Sequence, residues 1–260
     1  ICDELLHVDP LNKAAHVDRG DALSALGRTE DAAAEYQYAS RTDPLDRAVL
    51  NRLGLALMQL EQYSQAAQAF DQGWKLDSSD LIMLDNKGRA MLMGRDPVGA
   101  LATFDQAVKG DPSNASFHMD RGRALATQGR YDEALKALDH ALDLDPDGGE
   151  IWKYKGNVHF KTGDKAKAID CYSRAVDLGA MTAMLLRSKG RAEEEIGRLE
   201  DAFESYSHAA ELEGNDAALW MSIGIVQAKS GKIEEAVRSL DRSIDLDSTN
   251  NRAWLNRAAL

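Results

Sequence analysis

The sequence predicts an all-α solenoid, and three observations carry that reading. Glycines recur at a spacing of 34: Gly20, Gly54, Gly88, Gly122, Gly156, Gly190 and Gly224. An alanine follows each of them twelve residues later, from Ala32 to Ala236. Between these markers, apolar and small residues recur at three-and-four spacing, the periodicity of a helical face. A fixed period of this size means stacked supersecondary units, none of which can bury a core alone.

Placing the glycines at position 8 defines seven full repeats: 13–46, 47–80, 81–114, 115–148, 149–182, 183–216 and 217–250. Residues 1–12 end an earlier repeat and 251–260 begin another, so a single array over 1–260, cut from a longer one, is expected. Each period reads as two helices. In the second repeat, Leu50, Gly54 and Leu57 mark the first helix and Ala66, Phe70 and Gly73 the second. Position 15 is Gly27, Gly129, Gly163, Gly197 and Gly231 in five repeats, a left-handed residue closing the first helix. Acidic pairs such as Asp132-Glu133 and Glu234-Glu235 open the second helix, where they suit its dipole. Asp-Pro pairs such as Asp43-Pro44 and Asp111-Pro112 are expected to end it, because a residue before proline avoids the helical region. The position-8 glycine costs about 1 kcal/mol in mid-helix relative to alanine. Close approach of the position-20 alanine is the expected compensation.

Composition excludes several classes. With 43 Asp and Glu against 31 Lys and Arg, the formal net charge is −12, which disfavours nucleic acid and anionic membrane as partners. No apolar run reaches the roughly 18 residues of a membrane span. The two cysteines, Cys2 and Cys171, form no framework and read as thiols of a reducing, cytoplasmic setting. Asp143 to Gly148 resembles the start of a calcium loop, but its twelfth place is Tyr154 and the repeat phase makes it an inter-repeat turn. There is no phosphate-binding loop, dinucleotide fingerprint or serine-nucleophile elbow. The expectation is a protein that is not an enzyme and has no catalytic residue, metal or cofactor.

Trp152, Gly156, Ala168, Tyr172 and Ala175, and again Trp220, Gly224 and Ala236, follow the pattern Trp-x2-Leu-Gly-x2-Tyr, then Ala-x3-Phe-x2-Ala. This resembles the tetratricopeptide repeat over the whole chain. Position 4 departs at His16 and His118, and position 11 at His159, Glu193 and Gln227, which are expected to soften those repeats. The strict period and the acidic balance disfavour the related RNA-reading pentatricopeptide repeat. The resemblance implies a right-handed superhelix of antiparallel helix hairpins.

It also implies a concave peptide-binding groove lined by first-helix positions 2, 5, 9, 12 and 13. Carried onto this chain, those positions point to Arg89, Met119, Arg123, Lys153, Asn157, Phe160, Arg187 and Arg191 as peptide-binding residues. Cations outnumber anions along this track, with Arg89, Arg123, Asn157 and Arg191 at successive position-9 steps. Apolar residues such as Leu55, Ile82, Met93 and Met184 join it. The chaperone-adaptor clamp is rejected, because only Lys153 and Asn157 match while Ser188, Ala218 and Ser222 do not. The expected function is a protein-interaction scaffold whose partner is a protein or peptide with acidic and apolar anchors. A targeting region of a larger enzyme or signalling protein, and self-association through open array ends, are the alternatives. A solvated mixed-charge face is the plain alternative for the groove.

Overall fold

The computed structural model describes residue 5 and residues 7–260; Cys2 lies outside them. Among the described residues there are fifteen helices and no strand, and the chain forms two compact units, 1–144 and 145–260. The first unit holds α1 (Lys13–Ala25), α2 (Thr29–Thr42), α3 (Arg47–Gln59), α4 (Tyr63–Leu76), α5 (Leu81–Met93), α6 (Pro97–Gly110), α7 (Ala115–Thr127) and α8 (Tyr131–Leu144). The second holds α9 (Gly149–Thr162), α10 (Lys165–Asp177), α11 (Ala183–Glu195), α12 (Leu199–Leu212), α13 (Ala217–Lys229), α14 (Ile233–Leu246) and α15 (Asn251–Ala258). Odd-numbered helices are the first and even-numbered the second of each repeat. Within each unit every helix packs on its chain neighbours, the all-α solenoid that the period predicts.

The position-20 alanines, Ala32 through Ala236, are all completely buried. At Gly122 and Gly224 their carbonyls at Ala134 and Ala236 would lie 3.2–3.3 Å from an added Cβ, but the nearest atoms at all seven glycines belong to position 24. A Cβ built at Gly20, Gly54, Gly88, Gly156 or Gly190 would fall 2.6–2.9 Å from the ring at position 24: Tyr36, Phe70, Phe104, Tyr172 or Tyr206. At Gly122 and Gly224 the collision is with Leu138 and Leu240. The second helix therefore sends a large side chain across the first at the point where the first has none. The ring, two turns from either helix end, fills the hairpin core.

Each helix boundary has a local cause. First helices open at position 34, where Asn12, Asp46, Asp80, Asn114, Thr182, Asp216 and Asn250 accept a backbone N–H of the first turn. They close on a left-handed residue at position 15. The five glycines there have φ between 74° and 93°, and the two repeats without glycine adopt the same conformation with Glu61 (φ 58°) and Arg95 (φ 64°). Six of the seven second helices end at position 31 whether or not proline follows, while α10 stops one residue earlier, ahead of left-handed Gly179. Asp77 and Asp247 accept a backbone N–H two residues on, from Ser79 and Thr249, just as Asp43 and Asp111 do before their prolines. In these four repeats an aspartate turn closes the helix with or without a proline after it.

The histidines at position 4 keep the contact that tryptophan makes in other repeats. Trp152, Trp220 and Trp254 donate the indole N–H to the carbonyl six residues back, at Pro146, Gly214 and Ser248. His16 and His118 place Nε2 2.9 Å from the equivalent carbonyls of Pro10 and Pro112. Histidine replaces tryptophan here because both offer a ring N–H at that depth. Burial lowers the His118 pKa, which keeps the ring neutral.

Two outcomes follow for stability. Glu61→Gly and Arg95→Gly each relieve a strained left-handed residue and should raise unfolding free energy by about 1 kcal/mol, read by urea denaturation. Gly88→Ala drives a methyl into the Phe104 ring and should cost about 1–3 kcal/mol in the same measurement.

Candidate interaction surface

Three core tyrosines reach through the hairpin to the first-helix face. Tyr36 donates to Asp21 (2.7 Å), Tyr172 to Asn157 (2.9 Å) and Tyr206 to Glu194 (3.0 Å). The acceptors sit at positions 9, 9 and 12, on the track expected to line a groove. The position-8 glycine is what lets the ring pass far enough for its hydroxyl to emerge there. Burial, reinforced by the Asp21 carboxylate, pushes the Tyr36 phenol up to about 12. Burial pushes Tyr172 and Tyr206 up as well, so all three remain donors. Side chains on this face are thus held from below by core residues.

In the first unit, Arg89, Met119 and Arg123 are half-buried. Both arginines are committed to carboxylates. Arg89 Nε lies 2.9 Å from Asp85 Oδ2 and 2.7 Å from Asp120 Oδ2, and Arg123 Nη1 bonds Asp120 Oδ1. Beside them, Arg47, Ala48, Asn51, Asp80, Ile82 and Met83 line an open depression of about 370 Å³. Ile82 is 70% exposed at its rim.

In the second unit, Lys153, Asn157 and Phe160 are half-buried and Arg187 and Arg191 exposed. Each cation again has a partner: Lys153 bonds Glu150, Arg187 meets Asp216 at 2.6 Å, and Arg191 meets Glu195 at 3.2 Å. Phe160 lies between two cations. Lys165 Nζ stands 3.3 Å from the ring centroid and the Arg191 guanidinium 5.0 Å, both tied to Glu195. Asp46, Asp80 and Asp216, which temper the charge of the track, are helix caps as well as ion-pair partners. The surface is therefore a network of satisfied charges rather than a row of bare cations.

The position-11 departures His159, Glu193 and Gln227 are buried, and Glu193 and Gln227 pair across the hairpin with position 23. Glu193 is completely buried; it accepts from Ser205 (2.7 Å) and Lys189 (2.6 Å). Gln227 accepts from Ser239 at 2.6 Å. In two repeats with leucine at position 11, Leu57 and Leu125, position 23 is Ala69 and Ala137, whereas Leu23 stands opposite Glu35. The Glu193/Ser205 and Gln227/Ser239 pairs share a spacing of twelve, a sequence signal that reading single columns passes over.

This hairpin geometry agrees with what family models find. Tetratricopeptide-repeat models match residues 3–46, 17–80, 86–149, 125–183 and 217–250. The chain belongs to the tetratricopeptide-repeat family. No curated protein matches the sequence. Among solved structures it is similar to YrrB, described as a TPR protein with an unusual peptide-binding site, at 24% identity and TM-score 0.60 over 75% of this chain and 100% of that one. It resembles PilF of Pseudomonas aeruginosa at 18% identity and TM-score 0.69, over 82% of this chain and 97% of PilF. The APC/C hetero-tetramer Cut9–Hcn1 gives 16% identity and TM-score 0.72 over 99% of this chain, which spans 51% of that one. At these identities the likeness is one of fold. No helix among the described residues is long and apolar enough to cross a membrane.

The buried glutamate makes a clear expectation. Glu193→Ala leaves Ser205 and Lys189 without their acceptor and should cost about 3 kcal/mol. Glu193→Leu with Ser205→Ala copies the Leu57/Ala69 pair and should stay within about 1 kcal/mol of wild type by thermal or urea unfolding.

Proposed function

We propose that this protein is a non-catalytic protein-interaction scaffold that binds a peptide segment or helix of a partner on the first-helix face. The observation that carries this reading is the set of tyrosine hydroxyls that hold Asp21, Asn157 and Glu194 in place from the core. A surface whose side chains are already ordered loses little entropy when a partner docks, which favours binding without a folding step. Arg89, Met119 and Arg123 form one patch, and Lys153, Asn157, Phe160, Arg187 and Arg191 another. Membership of a family built to display residues on stacked hairpins supports the same reading, as does the peptide-binding site of the similar YrrB.

The chemistry of the patches selects the partner. Exposed Ile82 and Met184 and half-buried Met119 and Phe160 suit apolar anchors. Acidic anchors would exchange with existing ion pairs at Arg187 and Arg191, which trades one carboxylate for another and gives selectivity more than affinity. The cysteine usage supports a cytoplasmic setting.

The test is affinity capture with a variant that spares the core. Arg123 is unsuited to charge reversal, because Asp120 beneath it is completely buried and would lose a partner. Arg187 and Arg191 are 46% and 66% exposed as side chains, so Arg187→Glu/Arg191→Glu should fold normally. Partners retained by wild type and lost by this variant, with unchanged circular dichroism, are the expected result. Identical capture by both proteins overturns a role for the second patch.

A further inference from the structure

The first patch buries two carboxylates beside two arginines, and one carboxylate oxygen has no hydrogen-bond partner. Asp120 is completely buried and satisfied on both oxygens: Oδ2 accepts from Arg89 Nε and Oδ1 from Arg123 Nη1. Asp85, 5% exposed, places Oδ2 2.9 Å from the same Arg89 Nε, which carries one hydrogen and directs it to Asp120. Asp85 Oδ1 is buried with no hydrogen-bond partner. A second full negative charge here would be desolvated, close to a like charge and short of donors. Burial and the neighbouring Asp120 therefore favour the protonated form of Asp85.

We infer that this carboxyl–carboxylate pair makes the Arg89–Arg123 patch a proton-coupled binding site for a carboxylate-bearing peptide, tightest while Asp85 is protonated. This rests on the scaffold reading above and deepens it. With Asp85 neutral, two guanidiniums face one carboxylate and the cluster holds one excess positive charge. With Asp85 ionised the excess is gone. Arg89 and Arg123 keep 37% and 24% of their side chains exposed, so an approaching carboxylate senses that difference at short range.

The charges acting most strongly on Asp85 are Asp120 and Arg123 of α7 and Arg89 of its own helix. Of the other helices packed on α5, α4 carries Asp71, which is engaged by Lys75 and Lys87, and α6 carries Asp105, which is engaged by Arg121. Burial, then Asp120, pushes Asp85 up to about 7 against the pull of the two arginines. The sign follows. The folded chain holds a proton that the unfolded chain has released, so stability falls as pH rises from the ordinary aspartate range to about 7. By reciprocity, a bound carboxylate raises the proton affinity of Asp85, and binding above neutrality takes up a proton.

The probe is a capped synthetic peptide of alternating Glu and Leu, with a Gln-for-Glu copy as its uncharged control. The host is the full chain carrying Arg187→Glu/Arg191→Glu, which silences the second patch. Fluorescence anisotropy at constant ionic strength should show affinity for the Glu peptide falling about three- to ten-fold between pH 6 and pH 8, as expected for one charge lost near the site. Asp85→Asn, locked neutral, should hold the pH 6 affinity at pH 8. Calorimetry in buffers of different ionisation heat should find proton uptake in the host and none in Asp85→Asn. An equal pH-dependent fall in Asp85→Asn overturns the coupling and leaves the scaffold reading standing. Absence of Glu-peptide binding at every pH, or equal binding of the Gln copy, overturns the carboxylate site itself; partners lost by the second-patch variant would still support the scaffold.

Discussion

The crossing of the position-24 ring over the position-8 glycine is the contact on which each hairpin depends. With no Cβ at Gly54 or Gly156, Phe70 or Tyr172 lies directly against the backbone of the first helix. The penalty of about 1 kcal/mol per mid-helix glycine is offset by burial of an aromatic ring, worth more than that by area alone. Because the two helices are locked together at their midpoints, their ends need only local devices: a side-chain cap at one end and a left-handed residue or aspartate turn at the other. Repetition of that arrangement makes each hairpin a rigid unit that still needs its neighbours for a core.

The same contact links core to surface. Where the crossing ring is tyrosine, its hydroxyl emerges on the first-helix face and holds a polar side chain. Where it is phenylalanine or leucine, as at Phe104 and Leu138, that hold is missing, and ion pairs order the face instead. Arg89 and Arg123 over Asp85 and Asp120 are the case in point. Choice of residue at a core position thus decides whether a hydrogen bond from the core joins the ion pairs that organise the neighbouring surface.

Much of the fold was legible in the chain because its constraints are local and periodic. The 34-residue phase, the paired helices and the left-handed position 15 each rest on a residue type that recurs in register. Glu61 and Arg95 show how far register overrides residue preference: both take the left-handed conformation that glycine takes elsewhere. The histidines at position 4 and the polar residues at position 11 looked like departures only while columns were read singly. His118 keeps the indole's hydrogen bond, and Glu193 is matched by Ser205 twelve residues on.

The candidate surface was legible as a set of positions but not as a set of charges. Sequence alone determined which residues share a face, because helical phase sets that before any packing occurs. Tertiary structure decided what those residues do there. Partners 31 residues apart, such as Arg89 and Asp120, meet only when successive hairpins stack. Burial, and with it the raised pKa of Asp85, exists only once neighbouring helices remove the water. Position along a helix is a property of the chain; desolvation and donor count are properties of the packed whole.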